Sequence, residues 1–234
     1  MRESLLTIPI NEVFEPKRGC PICAMRNTVE EHILEYIMGA AMMEPDVRIE
    51  TNALGFCHTH FNGLLRQSNR LSLALMLNTR LSTLREEIFE KKSVLFTQKE
   101  KAKKCAEIEQ SCFVCGKVNH GIDHMLETVF TMFKNDEGFR RLYSEQEYIC
   151  VPHYNLLMTS AQSALKKDAL KLFREATDAL IEKYIRSLNK DVDDFCSSYD
   201  YRNIGKLQGE DMEHVRSSIE RAIEFLTSRK PEAK

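Results

Sequence analysis

Four short motifs constrain this chain more than any other feature of its sequence: two C-x-x-C pairs and two C-x-x-H pairs, which alternate along it. Two thiolates separated by two residues can bind one ion, and a second Cys/His pair completes the tetrahedron of a closed zinc site. Because each half of the chain contains one motif of each kind, we expect one metal ion in each half. The expected ligands are Cys20, Cys23, Cys57 and His60 for the first ion and Cys112, Cys115, Cys150 and His153 for the second.

The agreement between the halves extends to neighbouring residues and predicts an internal duplication. Matched residues around the C-x-x-C motifs lie 92 positions apart, as Cys20 and Cys112 do. Around the C-x-x-H motifs the offset is 93, as between His60 and His153. We therefore predict a first metal-binding repeat at 1–92, a helical connector at 93–108, a second metal-binding repeat at 109–190, and a C-terminal loop and helix at 191–234.

Apolar residues recur at helical spacing over most of the chain, whereas strand signals are weak. Only Val47–Glu50 is a candidate strand. Each C-x-x-C motif is expected just before a helix, and each C-x-x-H motif at the start of one. The fold class predicted is all-α, an internally duplicated bundle of helical hairpins with a metal site at the helix ends of each repeat. The main predicted helices cover about 28–44, 58–90, 118–133, 156–188 and 211–228, with a break at 191–209.

Composition and charge narrow the class of protein. The 234 residues contain no long apolar run, which argues against a membrane-spanning segment. The start of the sequence does not show the basic region followed by an apolar core that is typical of a signal peptide, and we therefore expect a cytoplasmic protein. Eight cysteines in such a chain favour metal or thiol chemistry over disulfides. The net charge of −2 argues against nucleic-acid binding, which needs a basic face. The lysine-rich stretch 91–104 is explained as a solvated connector.

Several segments resemble an uncharacterised family of small bacterial cytosolic proteins that carry C-x-x-C and C-x-x-H motifs. The segments are TIPINEVFE, GCPIC, MMEPDVRIETN, GFCHTH and NRLSLALML, and the resemblance is densest over residues 7–81. It implies that Cys20, Cys23, Cys57 and His60 are metal ligands. It implies no reaction, because the family has no established activity.

Other histidines lie close to the motifs. His32 and His124 occupy matched positions after the two C-x-x-C pairs, where they are either further ligands, hydrogen-bond partners of the ligands, or ordinary surface histidines. His58 could replace His60, but the second half has Val151 at the corresponding position, which favours His60.

The segment before the first C-x-x-H motif differs between the halves and is a candidate recognition surface, since specialised segments on a rigid frame often carry function. In an extended chain, Arg48 and Glu50 would lie on one side. The alternative is an ordinary solvated loop. The predicted recognition residues are Asp46, Arg48, Glu50, Asn69 and Arg70.

Three functional hypotheses follow. The first is a zinc-stabilised helical scaffold or adaptor, without a reaction of its own, that binds a partner protein or a small ligand. The second is a thiol or iron–sulfur redox protein, although the βαβ pattern of dithiol oxidoreductases is missing. The third is a metalloenzyme with an exchangeable metal position. Common phosphate-binding, dinucleotide-binding, metalloprotease and hydrolase motifs are absent, which favours a protein that is not an enzyme.

Overall fold

The computed structural model describes residues 7–90, 97–200 and 210–231. Within these ranges every regular element is helical and none is a strand, which confirms the predicted all-α class. The chain divides into two compact units. The terminal unit combines Met1–Met25 with Asp123–Lys234, and the central unit is Arg26–Ile122. Among the described residues, no helix combines the length and apolarity needed to cross a bilayer.

The structure describes these helices, together with a 3₁₀ segment and a π-helical segment. In chain order they are α1 (Ile8–Phe14), α2 (Pro21–Met38), the 3₁₀ turn Ala40–Met43, α3 (Pro45–Leu54), α4 (His58–Arg66), α5 (Arg70–Arg85), the π segment Glu86–Glu90, α6 (Gln98–Gln110), α7 (Phe113–Asn135), α8 (Glu137–Ser144), α9 (Val151–Ala164), α10 (Lys167–Ser198), α11 (Glu210–Arg216) and α12 (Ser218–Thr227).

Two long helices expected from the sequence are interrupted. The helix predicted over 58–90 breaks before α5, where Asn69 is the N-cap and its side chain accepts a hydrogen bond from the amide of Ser72. Asn is a favoured cap because its side-chain oxygen satisfies an amide that has no partner within the helix. The helix predicted over 156–188 breaks at Leu165 and Lys166, which are both extended. Apolar periodicity continues across both breaks, so it could not locate them.

The C-terminal part also differs from the prediction. Helix α10 continues through Ser198, so residues 191–198 are helical and do not belong to a break. Of the remaining predicted break, Tyr199 and Asp200 follow the helix in a turn, and residues 201–209 lie outside the described residues. The single helix expected at 211–228 is divided into α11 and α12 at Ser217.

The candidate strand Val47–Glu50 was wrong, because this stretch lies inside α3. Pro45 occupies the first turn of the helix, where its missing amide hydrogen costs nothing. The helix ends at Gly55, whose φ of 62° lies in the left-handed region that favours glycine. Valine and isoleucine suggested a strand, but the proline and glycine at the two ends favour a short helix.

The terminal unit is built around a cluster of aromatic rings. Phe173 packs edge-to-face against Phe133, with ring centroids 5.0 Å apart, and Tyr143 lies 5.2 Å from Phe173. The buried Tyr143 hydroxyl lies 2.9 Å from Thr177 Oγ1, so its polar end is satisfied. A second cluster stacks Tyr148 on Tyr184 at 4.1 Å. These rings give the terminal unit a substantial apolar core.

The central unit relies on aliphatic packing and on side chains that tie helices together. Leu64, Leu73 and Met76 are buried. The buried guanidinium of Arg80 on α5 donates to the carbonyl of Asn52 on α3 at 2.6 Å. Helix α6 buries none of its residues. Part of the predicted lysine-rich connector, including Lys91 and Lys92, lies outside the described residues.

Candidate metal centres

The eight predicted ligands come together in two groups of four, and their ligand atoms lie within 4.8 Å of one another in each group. We call the group in the terminal unit centre 1 and the group in the central unit centre 2. Centre 1 consists of Cys20, Cys23, Cys150 and His153, and centre 2 consists of Cys57, His60, Cys112 and Cys115.

The predicted pairing of the motifs was wrong. We expected each C-x-x-C pair to share an ion with the C-x-x-H pair of its own half. Instead, the first C-x-x-C meets the last C-x-x-H, and the two inner motifs meet each other. Each centre therefore takes one motif from each predicted repeat, and neither repeat holds a complete centre. The two compact units likewise divide the chain differently from the predicted repeats, and the duplication itself stays a prediction from sequence.

Contacts outside the motifs account for this crossed pairing. In the terminal unit, the Gly19 amide donates to Glu147 at 2.6 Å, and Gln146 donates to the carbonyl of Phe14 at 2.8 Å. These bonds align the segment before Cys20 with the segment before Cys150. Because none of these residues belongs to a metal motif, ligand spacing alone could not reveal the pairing.

Equivalent contacts assemble the central unit. The Phe113 amide donates to the carbonyl of Gly55 at 3.0 Å, and the Ser111 hydroxyl donates to the carbonyl of Leu54 at 2.7 Å. The end of α3 is thereby held against the start of α7. As a result, the motifs that follow Gly55 and Ser111 face each other.

All four motifs occupy the same position at the start of a helix. Cys57 and Cys150 are the N-cap residues of α4 and α9, and the motif's histidine is the third residue of each helix. Likewise, Cys20 and Cys112 immediately precede α2 and α7. Side chains at the N-cap and third positions face each other, which is the geometry of a capping box. The positive end of the helix dipole also favours thiolates there.

The separations within each centre fit one tetrahedral ion. With Zn–S near 2.3 Å and Zn–N near 2.0–2.1 Å, two sulfurs lie about 3.8 Å apart and sulfur and nitrogen about 3.6 Å apart. The Sγ atoms of Cys23 and Cys150 are 3.6 Å apart, and those of Cys57 and Cys115 are 3.9 Å apart. In both centres the histidine Nδ1 faces the sulfurs, at 3.1–3.6 Å. All eight cysteines of the chain are free thiols.

The two centres differ in exposure. Every residue of centre 1 is buried, and Cys150 is completely inaccessible. In centre 2 only His60 is buried, while the three cysteines are partly exposed. Centre 1 also has the carbonyl of Ser228 at 3.9 Å from Cys23 Sγ, beside the end of α12. Solvent and small reagents therefore have easier access to centre 2.

The three thiols of centre 1 have different pKa values in the absence of a metal ion. Burial would raise the pKa of Cys20, but hydrogen bonds from Cys150, Cys23 and His153 hold its pKa well below the ordinary value. Hydrogen bonds to Cys150 and Cys20, together with burial, raise the pKa of Cys23. The hydrogen bond to Cys20 also raises the pKa of Cys150, to about 12. One thiolate is thus stabilised by two neighbouring thiols.

Centre 2 stabilises a thiolate–imidazolium pair. Burial would raise the pKa of Cys112, but the hydrogen bond from His60 lowers it to about 6. Burial would lower the pKa of His60, but hydrogen bonds with Cys112 and Glu30 raise it to about 10. Burial raises the pKa of Cys115 to about 12.

Glu30 is a contributor to centre 2 that the sequence motifs did not identify. Its Oε1 lies 3.2 Å from Nε2 of His60, on the ring edge opposite the sulfurs. Glu30 sits in the middle of α2 and belongs to no ligand motif, so the sequence offered no signal for it. Of the histidines proposed as hydrogen-bond partners or further ligands, His32 and His124 are both exposed and belong to neither group. His124 instead lies 3.5 Å from Glu127.

The residues predicted as a recognition patch have contacts within the central unit. Arg48 on α3 donates to Thr79 on α5 at 2.6 Å, and Glu50 forms an ion pair with Lys117 at 2.9 Å. Asn69 caps α5 and also donates to the carbonyl of Met38. Asp46 and Arg70 are exposed, and recognition by any member of this set stays a prediction.

Comparison with known proteins gives a family and no activity. Searches of curated proteins and of solved structures found no match to this chain. A family model described as "Family of unknown function (DUF6062)" matches residues 1–233. Since the match covers nearly the whole sequence, the chain belongs to the DUF6062 family of unknown function.

Proposed function

We propose that the protein binds two zinc ions, one in each centre, and that the ions stabilise a helical scaffold that acts through a partner. The observation that carries the proposal is the geometry of the two groups, in which three sulfurs and one imidazole nitrogen are spaced as tetrahedral zinc requires. Four protein ligands leave no open position, which is typical of structural zinc sites.

The ligand set favours zinc over other common ions. Thiolates and imidazole suit zinc, whereas magnesium and calcium prefer oxygen ligands. An iron–sulfur cluster must fit several iron and sulfide atoms between its ligands. Separations of 3.1–3.9 Å between ligand atoms leave room for a single ion. Zinc is therefore the better fit to both centres.

Zinc would contribute to stability by joining helix starts that are remote in sequence. Structural zinc in small peptides supplies roughly 10–16 kcal/mol of apparent binding free energy, which becomes folding free energy when the site forms only in the folded chain. Among its described residues the central unit has the ring pair Phe56 and Phe61, whereas the terminal unit has larger clusters of rings, so the central unit should depend more strongly on its ion.

Two features of the described residues support a role in binding a partner. The central unit exposes several large apolar side chains, including Ile49 at 67%, Leu71 at 69% and Leu81 at 64%, which a protein partner could cover. For a small ligand, the terminal unit has an open cavity of about 680 Å³ between α7 and α9. Its floor includes the buried Phe130 and Leu165.

The deciding experiment for the metal is elemental analysis of protein purified without oxygen. The expected result is two zinc ions per chain and no visible absorption. A metal content near zero would contradict the proposal. Iron with visible absorption would support the iron–sulfur alternative instead.

Partner binding needs its own test. Leu71→Ser and Leu81→Ser together should reduce binding of a protein that co-purifies with the wild type, while zinc content and melting temperature stay unchanged. Asp46→Ala with Arg70→Ala probes the polar alternative, since both residues are exposed. Arg48 is less suitable because its guanidinium ties α3 to α5. An unchanged set of partners in both variants would place recognition elsewhere.

One observation favours a second candidate, a reactive thiol or metalloenzyme function at centre 2. Its cysteines are partly exposed, and the pKa of Cys112 is lowered to about 6. Low pKa and access are the two properties that reactive cysteines share. Metal-dependent turnover, or alkylation of metal-free Cys112 much faster than that of an ordinary thiol, would support this candidate over the scaffold.

A further inference from the structure

We propose that Glu30 is a positioning residue that orients His60 and strengthens zinc binding at centre 2, while centre 1 works without such a carboxylate. This inference rests on the proposed zinc binding. It assigns a role to a residue outside the ligand motifs and distinguishes the two centres chemically.

The first observation is the position of Glu30 relative to both edges of the imidazole. Nδ1 of His60 faces Cys57, Cys112 and Cys115 at 3.1, 3.3 and 3.4 Å. On the opposite edge, Nε2 lies 3.2 Å from Oε1 of Glu30. A ring that binds an ion through Nδ1 must carry its proton on Nε2. The carboxylate is placed to accept a hydrogen bond from that proton.

The hydrogen bond would select the ring tautomer required for metal binding. A neutral histidine can hold its proton on either nitrogen, and a proton on Nδ1 blocks the metal. A carboxylate at Nε2 favours the productive tautomer, restricts ring rotation and increases the basicity of Nδ1. The side chains of His60 and Glu30 are 7% and 22% exposed, so water competes weakly for this bond.

Glu30 is itself held in place within α2. Its Oε2 lies 3.9 Å from Nε of Arg26, one helical turn earlier. Residues four apart lie on the same face of a helix, so Arg26 places a positive charge beside the carboxylate. Arg26 thus lies beside one carboxylate oxygen while the other faces His60.

Among the described residues, no carboxylate at centre 1 corresponds to Glu30. Within the part of the chain that the structure describes, the polar contacts of the His153 ring are to the three cysteines of its centre, and no carboxylate pairs with it. The counterpart of Glu30 at an offset of 92 is Ile122, which cannot accept a hydrogen bond. Burial shields the ligands of centre 1 from water. The cysteines of centre 2 are partly exposed, so a carboxylate that orients its histidine should contribute more to metal affinity there.

The test compares Glu30→Ala with Glu31→Ala, a matched change at the next residue, whose side chain is exposed. Zinc affinity is measured by competition with a chromophoric chelator, and cadmium NMR of the cadmium-substituted protein reports the centres separately. Glu30→Ala should weaken zinc binding at centre 2 about 10- to 100-fold and leave centre 1 unchanged, as expected for loss of a carboxylate partner of a ligand histidine. Glu31→Ala should change neither centre.

The conservative variant Glu30→Gln distinguishes the orientation of the His60 ring from the charge of the carboxylate. It also provides a second test in case the alanine variant misfolds. Glu30→Gln keeps an acceptor oxygen of the same reach, so the loss of affinity should be smaller than in Glu30→Ala. Ring-nitrogen NMR should show the Nε2 proton of His60 in the zinc-loaded wild type and faster exchange of that proton in Glu30→Ala. Equal zinc affinity in the Glu30→Ala, Glu30→Gln and Glu31→Ala variants would overturn the inference. A wild type that binds no zinc would instead overturn the proposed function.

Discussion

The sulfur of Cys23 lies 3.6 Å from the sulfur of Cys150, although 127 positions separate the two residues. The first C-x-x-C motif and the last C-x-x-H motif thus form one centre, around which residues from both ends of the sequence pack. A metal ion there would close a very long loop of chain. The inner motifs form the other centre within the intervening segment.

The crossed pairing can be tested with double variants. Cys20→Ser with Cys150→Ser removes two ligands from centre 1 alone and should lower the zinc content from two ions to one. Cys20→Ser with Cys57→Ser damages both centres and should lower it towards zero. The measurement is metal content per folded chain, with helicity checked by circular dichroism. If the second combination kept one ion and the first kept none, the ligands would pair within each half after all.

Chelation should empty the two centres at different rates. The ligands of centre 1 are all buried, whereas the cysteines of centre 2 are partly exposed, so a chelator should reach centre 2 first. We expect biphasic zinc release, with loss of helicity in the central unit during the fast phase. In a Cys150→Ser variant that still folds, only the fast phase should remain. A single phase with an amplitude of two ions would contradict this order.

Acidification should release the metals, because protons compete with zinc for the thiolates. In the metal-free centres the pKa values of Cys115 and Cys150 are raised to about 12, so both thiols hold protons at neutral pH. Zinc must displace these protons, and its affinity must therefore fall as the pH falls. Calorimetric titration in buffers of different ionisation enthalpy should show net proton release on zinc binding, and more zinc should be retained at pH 8 than at pH 6. Zinc affinity that is independent of pH would argue against thiolate ligation.

The pKa shifts at centre 2 also predict the pH range in which the metal-free protein is most stable. The lowered pKa of Cys112 contributes stability that is complete above the ordinary value of 9.0 and is lost as the pH falls through about 6. The raised pKa of His60 contributes stability that is complete below 6.5 and is lost as the pH rises through about 10. Chemical denaturation of the metal-free protein should show a plateau between pH 6.5 and 9.0 with decreases on both sides. A monotonic change across this range would be evidence against the thiolate–imidazolium pair.

Glycine substitutions offer a matched pair of stability tests. Gly55 ends α3 with φ of 62°, and a Cβ there would lie 3.5 Å from Nε of Arg80. Gly55→Ala should therefore destabilise the protein by about 1 kcal/mol or more. Gly116 lies inside α7 with open space around it, so Gly116→Ala should stabilise by roughly 0.5–1 kcal/mol. Denaturant unfolding of both zinc-loaded variants provides the measurement, and equal effects at the two positions would contradict the assignment.

The sequence by itself determined the all-α class and the eight candidate ligands, because both depend on local spacing. Helical periodicity is a property of consecutive residues, and a two-residue gap lets both ligands of one motif reach the same ion. The helix ends were less predictable. At Asn69 a polar cap begins a new helix although the apolar pattern continues on both sides of it. At Val47, branched residues suggested a strand within a short helix bounded by Pro45 and Gly55.

Only the tertiary structure decided which motifs share a centre. Four motifs can be paired into two sites in three ways, and their similar spacing favours none of them physically. The choice depends on contacts between residues outside the motifs, such as the Gly19 amide with Glu147 and the Ser111 hydroxyl with the carbonyl of Leu54. Glu30 reaches His60 for the same reason, since a hydrogen bond between separate helices depends on how they pack.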